Sequence, residues 1–215
     1  HVMLKIWGRA NSINVQKAMW AVGERGVAPQ RIDAGGPFGG LQTPEFRAMN
    51  PNTRIPVIDD DGVVVWESHS IVRYVSAKYG KGTLWAEDPA ERAKADMWID
   101  WTLADLQNAF MGAFAGFWRT PESQRNMNMV RNAWMRTNAL LQLVDAHLAG
   151  KTFITGDNFT MGDIPAGAQL FRYYEMQIPL ERPKLPNVEA WYARLKDRPA
   201  YREHVMVSFQ DLKGR

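Results

Sequence analysis

The sequence contains no cysteine. That excludes a disulfide framework, a thiolate metal site, an iron–sulfur cluster and a cysteine nucleophile. Histidine is scarce as well: His1, His69, His147 and His204 are too dispersed to form a ligand set, so no metal is expected. Nor is there a block of one charge. The formal net charge is +3, with 9 basic and 7 acidic residues in 1–80 and 17 and 16 in 81–215. Neither half carries the concentrated basic surface that nucleic-acid binding uses. The longest nearly uncharged apolar stretch, Ala109 to Trp118, is about half the length of a membrane-spanning helix and holds two glycines. No signal peptide precedes the first periodic segment, and His1 and Val2 read as a tag remnant before a native Met3. The expectation is a cytoplasmic protein with no membrane, metal or nucleic-acid partner.

What the chain does have is an ordinary globular composition, 46% hydrophobic. At this length a fold buries roughly 70% of the surface of its unfolded chain, so its core needs no covalent or metal support. Met3 to Trp7 reads as a buried strand and Gly8 to Asn11 as a turn. From Ser12, Val15, Ala18, Met19 and Val22 recur at helical spacing, ending near Gly23 and Gly26. Gln30 to Asp33 supplies a second, parallel strand, followed by a Gly-rich loop, Ala34 to Gly40, and a helical turn opened by Thr43 and Pro44. Pro56 to Ile58 and Val63 to Trp66 form a hairpin around Asp59 to Gly62, and Ser68 caps a helix running to Tyr79. The order is βαβ-ββα.

After a Gly- and Pro-containing link no strand pattern remains. Ala90, Ala93, Met97, Trp101, Ala104 and Asn108 share one helical face, and Val130 to Leu148 make a broader stripe. Thr160 and Asp163 have capping-box spacing, with Phe159 and Ile164 at the staple positions, so a buried helix starts there. Later helices begin near Asn187 and Pro199. The expected architecture is an α/β N-terminal domain over 1–80, a linker at 81–89 and an all-α domain over 90–215.

Asn50 to Ile58 (NPNTRIPVI), Glu67-Ser68 followed by Ile71 and Tyr74, and the Thr160 to Asp163 box resemble the cytosolic glutathione transferases across essentially the whole chain. The resemblance implies a thioredoxin-like first domain, glutathione as cosubstrate, and a homodimer acting in detoxification on a small hydrophobic electrophile or a disulfide. It allows a glutathione-dependent disulfide reductase or a non-catalytic ligand-binding module on the same fold. Ser12, Asn14 and Lys17 keep the spacing of the nu-class and related bacterial enzymes, while theta-class enzymes rely on the serine. No tyrosine precedes Tyr74, which sets the chain apart from the alpha, mu and pi classes.

Helix N-terminal amides and a hydrogen-bond donor lower a thiol pKa, so the resemblance makes Ser12 and Asn14 the catalytic candidates. Read alone, Ser12 is an N-cap. Glu67 suits the ammonium of a γ-glutamyl group, and the Ser68 hydroxyl and amide suit its carboxylate. By themselves these two residues would be a surface cap. Ile55 before Pro56 would pair its backbone with the cysteinyl residue as an added strand, given a cis bond that the sequence does not reveal. Arg54 is assigned to the glycyl carboxylate, with Gln42 a second candidate. Trp7 and Arg9 from the first turn, and Met111, Phe114 and Trp118 from the helical half, are assigned to the electrophile, although an aromatic stripe is more often a core than a pocket. The Gly35 to Gly40 loop lacks the Lys-Ser/Thr of a phosphate-binding loop.

Overall fold

The computed structural model describes residues 3–215, so the reading of His1 and Val2 lies outside the described residues. The chain divides into two units, one running to Glu87 and taking in Pro199–Val207, the other comprising Asp88–Arg198 and Ser208–Arg215. The segment Pro199–Val207, expected in the helical half, thus belongs to the first unit.

The first unit is built on a four-stranded sheet of order β2-β1-β3-β4, with β1 at Leu4–Trp7, β2 at Gln30–Ile32, β3 at Val57–Asp60 and β4 at Val63–Trp66. β1 pairs parallel to β2 and antiparallel to β3, which forms the antiparallel hairpin with β4. Alternation places Leu4 and Ile6 of β1 in the core while Lys5 is exposed. The hairpin turn is closed by Asp59 Oδ1, which accepts from Gly62 N–H at 2.7 Å, with Asp61 at φ 52°.

Helix α1, Ile13–Glu24, follows β1, and a short α2, Pro44–Met49, is opened by Thr43, whose hydroxyl accepts from Phe46 N–H at 3.1 Å. Helix α3, Ser68–Tyr79, packs against α1 and against β3 and β4. Asp60, at the end of β3, is buried and accepts from Tyr74 Oη (2.7 Å), Tyr79 Oη (2.8 Å) and Lys78 Nζ (2.8 Å), so one carboxylate ties the sheet to α3. Pro199–His204 joins this unit because Tyr201 meets Trp20 of α1 edge-on, with ring centroids 4.8 Å apart.

In the second unit, α4 (Pro89–Trp101) and α5 (Gln107–Phe114) form one rod interrupted by a π-helical turn at Thr102–Leu106 and followed by another at Ala115–Arg119. The single stripe expected over Ala90 to Asn108 is therefore broken: each wide turn advances the register, turning residues on either side to different faces. Helix α6 spans Met127–His147, α7 Asp163–Glu175 and α8 Pro186–Lys196. Phe110, Trp134, Leu141, Val144, Leu170, Tyr173 and Trp191 fill the core between them, with Trp134 and Tyr173 stacked at 4.8 Å. Half of the expected capping box forms: Asp163 Oδ2 accepts from Thr160 N–H at 2.9 Å, but the helix begins at Asp163 with Gly162 at its cap, and the Thr160 hydroxyl accepts from Gly162 N–H at 3.3 Å. Asp163 Oδ1 accepts from Ile154 N–H at 2.8 Å and Trp191 Nε1–H at 2.9 Å. Pro165 is accommodated because its missing donor falls in the first turn of α7. Pro199–His204, helix α9, is followed by a single 3-10 turn at Gln210–Leu212.

Candidate active site

The site lies in the first unit, where three chain segments meet. The β1–α1 turn supplies the first. Ser12 is the N-cap of α1, buried, its Oγ accepting from Val15 N–H at 3.4 Å. An accepting hydroxyl still has its own proton to donate, so capping and donation to a sulfur anion are compatible in one side chain. The Gln16 amide holds the turn by donating to Ala10 O at 3.1 Å. A methyl group added at Gly8 (φ 152°) would lie 2.3 Å from Val15 Cγ2 and 3.4 Å from Ile55 Cβ. The turn therefore presses directly on the second segment.

That segment, Asn50 to Pro56, is organised by a residue to which the sequence pattern assigns no role. Asn50 is buried; its Nδ2 donates to Arg54 O at 2.9 Å, and its Oδ1 accepts from Asn52 N–H and Nδ2, each at 3.0 Å. The signal is present as a turn-type composition, Asn-Pro-Asn-Thr, without indicating which asparagine anchors it. The Ile55–Pro56 bond is cis, and Ile55 lies outside the ladder, whose pairing with β1 begins at Val57. Gly35 of the Gly-rich loop approaches Ile55 from another side: a methyl group added at Gly35 would fall 2.9 Å from Ile55 Cδ1.

Glu67 and Ser68 are the third segment. Ser68, expected to cap α3, is instead the first helical residue, and Glu67 holds the cap position in the left-handed region at φ 70°. Buried Ser68 therefore presents both hydroxyl and amide at the α3 N-terminus, where unpaired amides favour anions. The exposed Arg54 Nη2 lies 3.9 Å from Glu67 Oε1. Asn14, Asn50, Arg54, Ile55, Pro56, Glu67 and Ser68 line one cleft of about 70 Å³. Within it, a carboxylate, a guanidinium, a carboxamide and a helix N-terminus converge, which complements a small zwitterion.

Beneath the cleft, Lys17 of α1 and His69 of α3 are both buried, with Nζ 2.8 Å from Nε2. Burial pulls the Lys17 ammonium down to about 7, and the Glu67 carboxylate works against that fall.

The other sequence candidates fall elsewhere. Gln42 lines a separate, open concavity of about 480 Å³ with Gly35, Gly36, Gly39, Gly40, Leu41 and Thr43, and its Oε1 accepts from Arg47. Trp7 ends β1, and Arg9, half-buried beside Gly36, donates to Asn11 Oδ1 at 2.7 Å. In the second unit, Met111 is half-buried, but Phe114 and Trp118 are corrected to core residues. Phe114 packs against Phe110, Phe209 and the Arg172 guanidinium, and Trp118 Nε1–H donates to Phe209 O at 2.9 Å. Side chains so enclosed offer a ligand almost no surface. Among the described residues no cluster of three His, Asp or Glu side chains suits a metal, and no helix is long and apolar enough to cross a membrane.

Residues 11–78 match the glutathione S-transferase N-terminal domain and 101–199 the C-terminal domain of that family. The chain is 39% identical over 207 residues to glutathione S-transferase GstB of Escherichia coli K12, covering 95% of this chain and 99% of that one. A theta-class glutathione S-transferase from Xanthomonas axonopodis pv. citri, solved with glutathione bound, superimposes with a TM-score of 0.91 at 45% identity, covering 97% of this chain and 99% of that one. Its apo form gives 0.83 at 40% identity, with the same coverage. With likeness in both sequence and structure over nearly its whole length, the chain belongs to the glutathione S-transferase family.

Proposed function

We propose that the protein is a glutathione transferase whose cleft between Asn14, Arg54, Glu67 and Ser68 seats the γ-glutamyl end of the tripeptide. The observation that carries this reading is the charge arrangement. Glu67 meets the ligand ammonium, while Ser68, the α3 amides and Arg54 meet the adjoining carboxylate. Because Arg54 stands beside Glu67, it serves this end of the ligand rather than the glycyl end. Gln42, with its neighbour Arg47, is the candidate for the glycyl carboxylate. The Ile55 backbone, outside the sheet ladder, pairs with the cysteinyl residue.

The cysteinyl sulfur then faces the start of α1. There the Ser12 hydroxyl, the Asn14 amide and the helix N–H groups stabilise its anion. The thiolate attacks a hydrophobic electrophile: a sulfur–carbon bond forms and the leaving group departs with its electron pair. Trp7 and Arg9, at the mouth of the turn, are the candidate electrophile contacts of this unit. Support for a cytoplasmic setting comes from glutathione itself, the thiol that poises that compartment. A homodimer fits the edge strand β4, whose Val63, Val64 and Trp66 are exposed, since an open apolar edge calls for a cover.

The test is the ultraviolet absorbance of the thiolate against pH, with glutathione titrated into the protein. A bound-thiol pKa well below the free value of about 8.5 is expected. Binding without a shift would instead favour a ligand-binding module, and no binding would refute the assignment. Parallel assays on an aryl halide and on a dithiol disulfide distinguish conjugation from disulfide reduction.

A further inference from the structure

Lys17 is a residue the proposed chemistry leaves unused, and its position is costly. Its ammonium is fully buried on α1, hydrogen-bonded across the helix interface to the buried His69. A buried charge is retained in an interior against a desolvation penalty that an apolar side chain of the same length would not carry. The charged and titratable groups facing it come from the start of α3: His69 at 2.8 Å, and Glu67, whose carboxylate favours the ammonium. Arg54 Nη2 lies 3.9 Å from the same Glu67 carboxylate.

The bond from Lys17 thus ends on the second residue of α3, directly after Ser68 and two places after Glu67. Glu67 is also held in the left-handed backbone region, which a side chain with a Cβ adopts only when its surroundings enforce it. We propose that Lys17, acting through His69, is a positioning residue for the γ-glutamyl subsite. It fixes the first turn of α3 so that the Glu67 carboxylate and the Ser68 hydroxyl and amide face the ligand head group. This inference rests on the glutathione reading above. It assigns Lys17 no contact with the reacting sulfur, so its effect belongs in binding and not in the chemical step.

The experiment compares the wild-type protein with Lys17→Met, His69→Leu and His69→Gln, measuring glutathione Kd by calorimetry, KM and kcat at saturating glutathione, and the thermal midpoint. Lys17→Met and His69→Leu are expected to raise Kd and KM on the order of tenfold and leave kcat within about twofold, the pattern of lost ground-state binding. His69→Gln keeps an acceptor for Lys17 and is expected to retain Kd within about threefold. Lys17→Met should melt close to the wild-type temperature, the removed buried charge offsetting the partner lost by His69 Nε2. Unchanged Kd in Lys17→Met, or a loss of kcat and stability together with binding, overturns the proposal. If Lys17→Met does not fold, the contrast between His69→Leu and His69→Gln decides: equal affinities overturn it. A wild-type protein that binds no glutathione would refute the underlying functional reading instead.

Discussion

Gly8 and Val15 are so closely apposed that the helix following the first turn leaves no room for a side chain on the turn itself. A methyl group at Gly8 would sit 2.3 Å from Val15 Cγ2, and the Gly8 φ of 152° is one that residues with a Cβ rarely adopt. Gly8→Ala is expected to cost about 2 kcal/mol through overpacking and backbone strain, a fall of roughly 5 °C in Tm. Because the displaced groups include Ile55, glutathione affinity should fall in the same variant. Thermal melts and calorimetric titration check both effects.

Ser12 caps α1 and, in the proposed chemistry, also donates to the sulfur anion, so its substitution should separate the two roles by magnitude. Ser12→Ala removes the α1 cap, worth about 1 kcal/mol of stability. Turnover should drop at least about tenfold with glutathione Kd nearly unchanged, since the donated hydrogen bond matters to the anion. Ser68→Ala should do the reverse, raising Kd with little change in kcat. Measured alongside Asn14→Ala, these variants rank the two thiolate donors; equal turnover in Ser12→Ala would move that role to Asn14 and the helix amides.

Burial alone would raise the Asp60 carboxyl, but hydrogen bonds from Lys78, Tyr74 and Tyr79 prevail and hold it below its ordinary 3.8. A carboxyl depressed by folding contributes stability that is complete above the unfolded value and disappears as pH falls through the folded one. Asp60→Asn should therefore be less stable than wild type by about 2 kcal/mol at pH 7, with the difference shrinking below about pH 4. Urea unfolding of both proteins across that range measures it.

Lys17 gives a slope of the same sign for a different reason: burial disfavours its protonated form. Its folded pKa of about 7 lies below the unfolded 10.5, so between those values the unfolded chain binds the additional proton and stability rises with pH. Wild-type stability should carry this rising contribution from pH 7 to 10. Lys17→Met should lack it, so wild type should gain on the variant by at most about 1.4 kcal/mol per pH unit across that range. The difference between the two unfolding free energies, followed over pH, isolates the contribution.

In the helical unit, Asp163 accepts three hydrogen bonds, from the buried Ile154 amide and Trp191 indole and the half-buried Thr160 amide. Asp163→Ala leaves the Ile154 and Thr160 amides and the Trp191 indole without that acceptor, at an expected cost of about 3–5 kcal/mol. Loss of the near-ultraviolet circular-dichroism signal of the folded aromatics at a lower temperature than in wild type is the readout.

The features that can be read from the sequence are those in which side chain and backbone partner lie within a few residues. Ser12 with Val15, Thr43 with Phe46, and Asp163 with Thr160 all have local spacing that states the bond. The Glu67-Ser68 pair is legible, but not which of the two caps the helix. That depends on a left-handed backbone at Glu67, and no local preference of a glutamate encodes it. The meeting of Lys17 and His69 bridges 52 positions and exists only once α1 has packed on α3. Arg54 beside Glu67, and Tyr201 beside Trp20, are likewise products of tertiary packing. Phe114 and Trp118 are ambiguous for a different reason: an aromatic stripe has the same composition whether it lines a pocket or fills a core.

Ile55 is wedged between Gly8 on one side and Gly35 on another, while Asn50 fixes the carbonyl of the residue before it. Three loops are thereby locked into one body before any ligand arrives. The conformational entropy of ordering the peptide-docking backbone is then met when the chain folds and not when the tripeptide binds, so association loses chiefly the freedom of the ligand itself. An unliganded site of this kind behaves as a rigid receptor, with hydrogen-exchange protection at Val57 and Ile58 of β3 that glutathione changes little.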